Sequence, residues 1–272
     1  MTSRQRIFAI VHHLPSFEPD LSRGEFETRI SREKKILSKI SGFLVASLYV
    51  KNLLLERGFK NKIFVVIPPA LCLGKSQKRK RPQKFRGLMV SNLIAQKGIL
   101  EFLKSLEKEV VPEDDFIIKI AGRDDIDTDY AKACLEYLSG SSLLKESIQF
   151  LGPLSPEKIE ALYATSSAFI SASKMETYGM AVKEALACGI PVFAYDGGYV
   201  RFHVRPSMNG YLCSTFPELA SLCVKFIRNP EELKSLQDRT EKLKTRENHT
   251  WDKAAEMFVK QTSHLPQDLS NA

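Results

Sequence analysis

The chain has 272 residues, 43% hydrophobic and 26% charged, with a formal net charge of +8. That is room for one large or two small domains with an apolar core that needs neither disulfides nor metals. No apolar run approaches the ~18 residues that span a bilayer, and five cysteines at 72, 134, 188, 213 and 223, without a CxxC pair, read as reduced core thiols of a cytosolic protein.

In chain order, residues 7–11 form a short apolar strand, too short for the core of a secretory leader. Residues 26–40 repeat apolar side chains at helical spacing, through Phe26, Ile30, Ile36, Leu37 and Ile40. Residues 42–47 predict a second strand. Ser47 is placed to cap a helix over 48–57 that Gly58 stops, and residues 62–67 predict a third strand ended by Pro68-Pro69.

Residues 75–86 then carry seven basic side chains and no acid. Three readings compete there: a solvated linker, a contact with anionic lipid headgroups, and a nucleic-acid patch. The last has the least behind it, since Phe85 is the only aromatic and no nucleic-acid-binding motif accompanies the run.

Beyond it, strands are expected at 87–90, 116–121, 148–151, 168–172, 192–195 and 211–213, with helices at 99–109, 129–138, 156–164 and 179–188 between them. Short, continuously apolar strands alternating with helices predict a parallel, doubly wound sheet. Helices at 216–228, 230–245 and 250–262 follow, and residues 263–272 read as a loose polar tail. The domain division expected is 1–74, a basic linker at 75–86, and 87–262.

Ligands of open parallel sheets sit beyond the carboxyl ends of strands, which directs attention to residues 171–195. Thr177 is placed to cap a helix opening at Tyr178–Gly179, with Gly189 as its left-handed stop. The unpaired N–H groups at Gly179 and Met180 suit a phosphate. Glu176 precedes the helix and Glu184 lies two turns into it. Ionised carboxylates only accept hydrogen bonds, so Glu184 could hold a ribose diol and Glu176 the hydroxyls of a second sugar. The bland alternatives are a favourable partner of the helix dipole for Glu176 and a solvated face residue for Glu184.

The run of Glu176, Tyr178-Gly179, Glu184, Ala187-Cys188-Gly189, Pro191-Val192 and Gly197-Gly198 closely resembles the E-x7-E region of family 4 retaining glycosyltransferases of GT-B fold. Residues 209–212 look like that family's Asn-Gly-x-Leu strand entry, and residues 89–106 resemble its first donor-domain strand and loop. The resemblance implies an α/β, GT-B-like fold with a complete C-terminal Rossmann-like domain and a shortened N-terminal one.

It also implies transfer of a sugar from a nucleoside diphosphate sugar to an acceptor hydroxyl of a glycan, lipid or small molecule, with retention. The setting it suggests is cell-envelope or polysaccharide synthesis. No cofactor and no metal are expected. Lys97 would contact the donor diphosphate. Asn92 stands where the family often has Arg, and the backbone at 150–152, ending at Gly152, would lie near the base. His12 or His13 would face the donor sugar.

Only three strands precede the basic run, so the alternative is a non-catalytic or split-enzyme subunit that binds nucleotide sugar or acts as a scaffold, completed by a partner chain. A cytoplasmic location is expected, peripheral at the inner membrane face if residues 75–86 meet anionic lipid. A dinucleotide oxidoreductase is excluded by the lack of a G-x-G-x-x-G turn.

Overall fold

A computed structural model describes residues 7–71, 82, 84–243 and 250–263. The chain divides into two units, Met1–Leu71 with Asn248–Ala272, and Cys72–Glu247.

In the first unit, β1 (Phe8–Val11), β2 (Gly42–Val45) and β3 (Ile63–Val66) pair in parallel in that order. Helices α1 (Arg23–Leu37) and α2 (Leu48–Glu56) connect them. Helix α1 opens three residues before its expected start. Ser22 and Glu25 form a capping box, with the Ser22 hydroxyl accepting from the Glu25 N–H and the Glu25 carboxylate accepting from the Ser22 N–H. Ser47 caps α2 as expected, accepting from the Val50 N–H at 3.3 Å. Phe43, Val45, Val50, Leu54 and Val65 form the buried centre.

Helix α9 (Trp251–Ser263) corrects the expected division of the chain. Although it follows the second domain in the chain, it belongs to the first unit, where it packs on β3 and the Gln261 side chain donates to the Val66 carbonyl at 3.3 Å.

The second unit holds six parallel strands: β4 (Phe85–Val90), β5 (Phe116–Ala121), β6 (Ile148–Phe150), β7 (Ala168–Ser171), β8 (Val192–Tyr195) and β9 (Gly210–Cys213). Strand β4 begins inside the expected linker. Phe85 is buried, and the Arg86 N–H donates to the Ser167 hydroxyl at 2.9 Å, so residues 85–86 belong to the sheet. Residues 75–81, the heart of the basic run, lie outside the described residues.

Helices α3 (Ile99–Glu107), α4 (Thr128–Gly140), α5 (Pro156–Ala164), α6 (Met180–Ala187), α7 (Phe216–Arg228) and α8 (Pro230–Leu243) complete the unit. Consecutive strand residues serve opposite layers. Met89, Ile170 and Phe193 pack toward α3, α4 and α7, while Leu88, Phe169 and Val192 pack toward α5 and α6. Both faces are covered, which is why the strands read as unbroken apolar runs instead of alternating.

The strand order is β6-β5-β4-β7-β8-β9. The winding therefore reverses between β4 and β7, and a ligand crevice forms beyond the carboxyl ends of those two strands.

Candidate functional site

Two loops border that reversal: residues 91–98 after β4 and residues 172–179 after β7. Glycines let them approach. A Cβ on Gly98 would sit 2.4 Å from the Ala172 carbonyl oxygen, closer than any side chain permits. Gln96 then ties the loops together: its carbonyl accepts from the Lys174 N–H at 2.9 Å and its side-chain amide donates to the Met175 carbonyl at 3.0 Å. Lys174 also pairs with Glu101 at 3.0 Å.

The backbone of Glu176 is held from the other side by the loop after β8. Its N–H donates to the Gly197 carbonyl at 3.2 Å, and its carbonyl accepts from the Tyr199 N–H at 2.8 Å. Gly198 has φ +70°, and a Cβ there would meet the Glu176 carbonyl oxygen at 2.3 Å. The Gly-Gly pair is thus a condition for seating Glu176.

On this frame the two charged side chains expected at the site meet. Lys97 Nζ lies 2.6 Å from Glu176 Oε1, with the side chains 22% and 20% exposed. The pair bridges the crevice from the β4 loop to the β7 loop. Beneath it a small cavity of about 20 Å³ is lined by the ends of β4 and β7, Glu176, Gly179 and Val182.

The start of α6 corrects one expectation. The N-cap is Gly179, at φ +82° and ψ +54°, and not Thr177, and no cap side chain closes the first turn. The helix opens at Met180. Among the described residues neither the Gly179 nor the Met180 N–H donates to a protein acceptor. The positive end of the helix therefore faces the crevice with donors to spare, an arrangement suited to an anion. Tyr178 stacks on Tyr199 with ring centroids 5.5 Å apart, and its carbonyl lies 2.7 Å from His203 Nε2.

Glu184 is half-buried, not on a solvated face. The hydroxyl of the fully buried Tyr163 lies 3.1 Å from Glu184 Oε2 and 3.2 Å from the Ala181 carbonyl. Burial, and then the charge of Glu184, push the Tyr163 phenol well above its ordinary pKa. It stays a donor, and it steers the Glu184 carboxylate through Oε2.

Asn92 is committed elsewhere: its Oδ1 accepts from the Arg123 N–H at 3.0 Å and so braces the loop after β5. Gly152 takes φ +66° after β6, with open space beside it, and its carbonyl accepts from the Gly122 N–H at 3.0 Å. Of the acids in the loop after β5, Asp127 caps α4 through the Tyr130 N–H, and Asp125 pairs with Arg123. His12 and His13 are exposed at the end of β1 in the first unit, where His13 meets Phe17 edge-on at 5.9 Å.

Gln96, Tyr163 and His203 escaped the sequence reading. Each acts on a partner 79, 21 or 25 residues away, and local pattern carries no signal for such pairings.

A doubly wound sheet whose switch point is overlooked by an open helix start, a lysine and two carboxylates defines an α/β protein with a crevice suited to an anion beyond β4 and β7. The chain belongs to the glycosyl transferases group 1 family, whose model matches residues 74–251.

It is 28% identical over 197 residues to the alpha-monoglucosyldiacylglycerol synthase of Acholeplasma laidlawii, covering 70% of this chain and 45% of that protein. It is 27% identical over 255 residues to a probable sucrose-phosphate synthase of Thermosipho melanesiensis, covering 87% and 57%. The chain thus spans about half the length of these curated relatives.

Among solved structures, the sucrose-phosphate synthase of Thermosynechococcus elongatus superposes with a TM-score of 0.77 at 21% identity, over 95% of this chain and 67% of that one. Anabaena HepE in complex with UDP and glucose gives 0.74 at 18%, over 96% and 72%. At such identities the likeness speaks for the fold, which is that of the GT-B glycosyltransferases.

Proposed function

We propose that the chain binds a nucleoside diphosphate sugar in the crevice beyond β4 and β7 and transfers the sugar, with retention, to an acceptor hydroxyl of a glycan, a lipid or a small molecule. The observation that carries this reading is the Lys97–Glu176 pair set across the crevice beside the open start of α6. One neighbour is titled as a complex with UDP and glucose, and one relative is named for a glucosylated diacylglycerol, both in keeping with such a donor.

The diphosphate would take the Gly179 and Met180 N–H groups and draw Lys97 off Glu176. Glu176, released, would accept hydrogen bonds from the hydroxyls of the transferred sugar. Glu184, steered by Tyr163, would hold the ribose. As the bond to the sugar breaks, negative charge grows on the departing diphosphate. Fixed amides and Lys97 stabilise that charge more than they stabilise the intact donor, which lowers the barrier. With that positive charge supplied by the protein, the reading calls for no cofactor and no metal. His12 and His13 remain the proposed first-domain candidates to face the donor sugar, and the backbone at Gly152 to border the base.

A contact of residues 75–86 with anionic lipid would place the protein at the inner face of a membrane. No helix among the described residues is long and apolar enough to cross one. A second reading, a nucleotide-sugar-binding subunit joined by another chain, draws support from edge strand β1, where Ile10 is 67% exposed.

The test uses UDP and radiolabelled UDP-glucose. Glu184→Ala should weaken UDP binding about tenfold, the scale of a lost hydrogen bond to a charged group. Glu176→Ala should bind UDP nearly as the parent does while transfer or slow donor hydrolysis falls by about 100-fold. Binding without either reaction in the parent would favour the subunit reading. Variants that bind and react like the parent would refute the assigned roles.

A further inference from the structure

Tyr130, in the first turn of α4, reaches across to the start of α3. Its hydroxyl accepts from the Leu100 N–H at 2.9 Å and donates to Glu101 Oε2 at 2.8 Å. The first bond closes a turn that its own N-cap, Gly98, has no side chain to close. The backbone of Tyr130 is fixed in turn by Asp127, which accepts from the Tyr130 N–H at 3.2 Å and from the Ala95 N–H at 3.4 Å. The start of α4 is therefore docked on the loop that carries Lys97.

The second oxygen of Glu101 reaches the opposite wall of the crevice. Oε1 pairs with Lys174 Nζ at 3.0 Å, and the two side chains are only 34% and 17% exposed. Glu101 follows Lys97 by four residues, and Lys174 precedes Glu176 by two. One carboxylate thus joins the two loops whose side chains meet in the Lys97–Glu176 pair. A fully exposed ion pair would hold little. This one is sheltered, and its acid is oriented by a phenol that burial pushes above its ordinary pKa and so keeps protonated.

We infer that Glu101, oriented by Tyr130, is a positioning residue that holds the Glu176 carboxylate in place while Lys97 moves from Glu176 to the donor diphosphate. It acts through Lys174 and the backbone of the loop after β7. The inference rests on the proposed donor reading. When Lys97 leaves, Glu176 loses its bond across the crevice, and the Glu101–Lys174 pair is a second tie between the same two loops that the exchange leaves intact. A shift of about 1 Å in such a group can cost on the order of 100-fold in rate.

Two substitutions test this in the full chain, so that one suffices should the other fail to fold. Glu101→Gln removes the charge facing Lys174 and keeps an acceptor for Tyr130. Tyr130→Phe keeps the ring and removes both bonds of the hydroxyl. With UDP and radiolabelled UDP-glucose, each should lower transfer or slow donor hydrolysis about tenfold at saturating donor, with UDP affinity kept within about threefold. In a Glu176→Ala background the same substitutions should change turnover by less than about twofold, since no carboxylate is left to hold. A purely structural part would lower turnover by the same factor in both backgrounds. Hydrogen exchange at the Lys174 and Glu176 amides, read without any donor, should quicken several-fold in Glu101→Gln.

Circular dichroism and urea midpoints check that the variants are folded under assay conditions. Folded variants that turn over like the parent, that lose equally with and without Glu176, or that leave exchange of those two amides unchanged would overturn the inference while the donor reading stands. A parent that neither binds UDP nor consumes UDP-glucose would strike the donor reading and this inference with it.

Discussion

At the scale of single residues, the site is a set of carboxylates held by partners far away in sequence. Tyr163 is the plainest case. Its hydroxyl is fully buried against Glu184, and its raised pKa keeps the proton on the phenol throughout the working pH range. Tyr163→Phe should preserve the ring packing yet weaken UDP binding several-fold, about 1 kcal/mol, because Glu184 loses its guide. Calorimetric titration of UDP checks this.

The Lys97–Glu176 pair should show in a double-mutant cycle. The effects of Lys97→Ala and Glu176→Ala on donor turnover are expected to depart from additivity by about 1 kcal/mol, since each variant already removes the shared contact. Additive effects would mean that the two act independently. Glu176 and Glu184 stand out in the sequence because they bracket one helix start, whereas Lys97, 79 residues from Glu176, stands out only through the resemblance of residues 89–106 to a family loop. Their partners Gln96, Tyr163 and His203 do not, because only the strand order brings them near. The bond from the Arg123 N–H to Asn92 Oδ1, which crosses between two loops, was hidden for the same reason.

At the scale of elements, the sequence pattern located the strands and α-helices of the described residues with errors at their ends, but missed the 3-10 turns at Pro15–Phe17, Ala95–Lys97 and Tyr199–Phe202. The early start of α1 follows from Ser22 and Glu25, a capping signal present in the sequence at its proper spacing. The late start of α6 follows from Gly179, whose φ of +82° lies in the left-handed region, so that the right-handed helix begins at Met180.

The loop after β1 has a clamp of its own. Glu33 accepts from the Ser16 N–H at 2.8 Å and from its hydroxyl at 2.6 Å, and Arg57 pairs with Glu33 at 3.5 Å. Burial holds the Arg57 guanidinium below its ordinary pKa. Glu33→Ala would strand that charge and should destabilise the first unit by about 3 kcal/mol, read as a lower urea midpoint.

The cysteines make a further element-scale test. Burial pushes the Cys134 and Cys213 thiols up to about 11 and holds Cys223 well above its ordinary value. At pH 8 these three should resist a thiol reagent until denaturant opens the core, as mass spectrometry would show.

At the scale of the whole molecule, chain order misleads once. Helix α9 follows the second unit in sequence but packs on β3 of the first. Polar, amphipathic helices give no hint of which core they cover, so this return was not legible. Deleting residues 250–263 should therefore lower the stability of the first unit and leave that of the second unchanged, which domain-resolved hydrogen exchange would reveal.

A crystal structure of the chain with UDP would show whether the crevice at the sheet reversal holds the donor. The β-phosphate should lie within hydrogen-bonding distance of the Gly179 and Met180 N–H groups and of Lys97 Nζ, now parted from Glu176, with the ribose hydroxyls on Glu184. UDP bound elsewhere, or bound with the Lys97–Glu176 pair intact and Glu184 untouched, would contradict this.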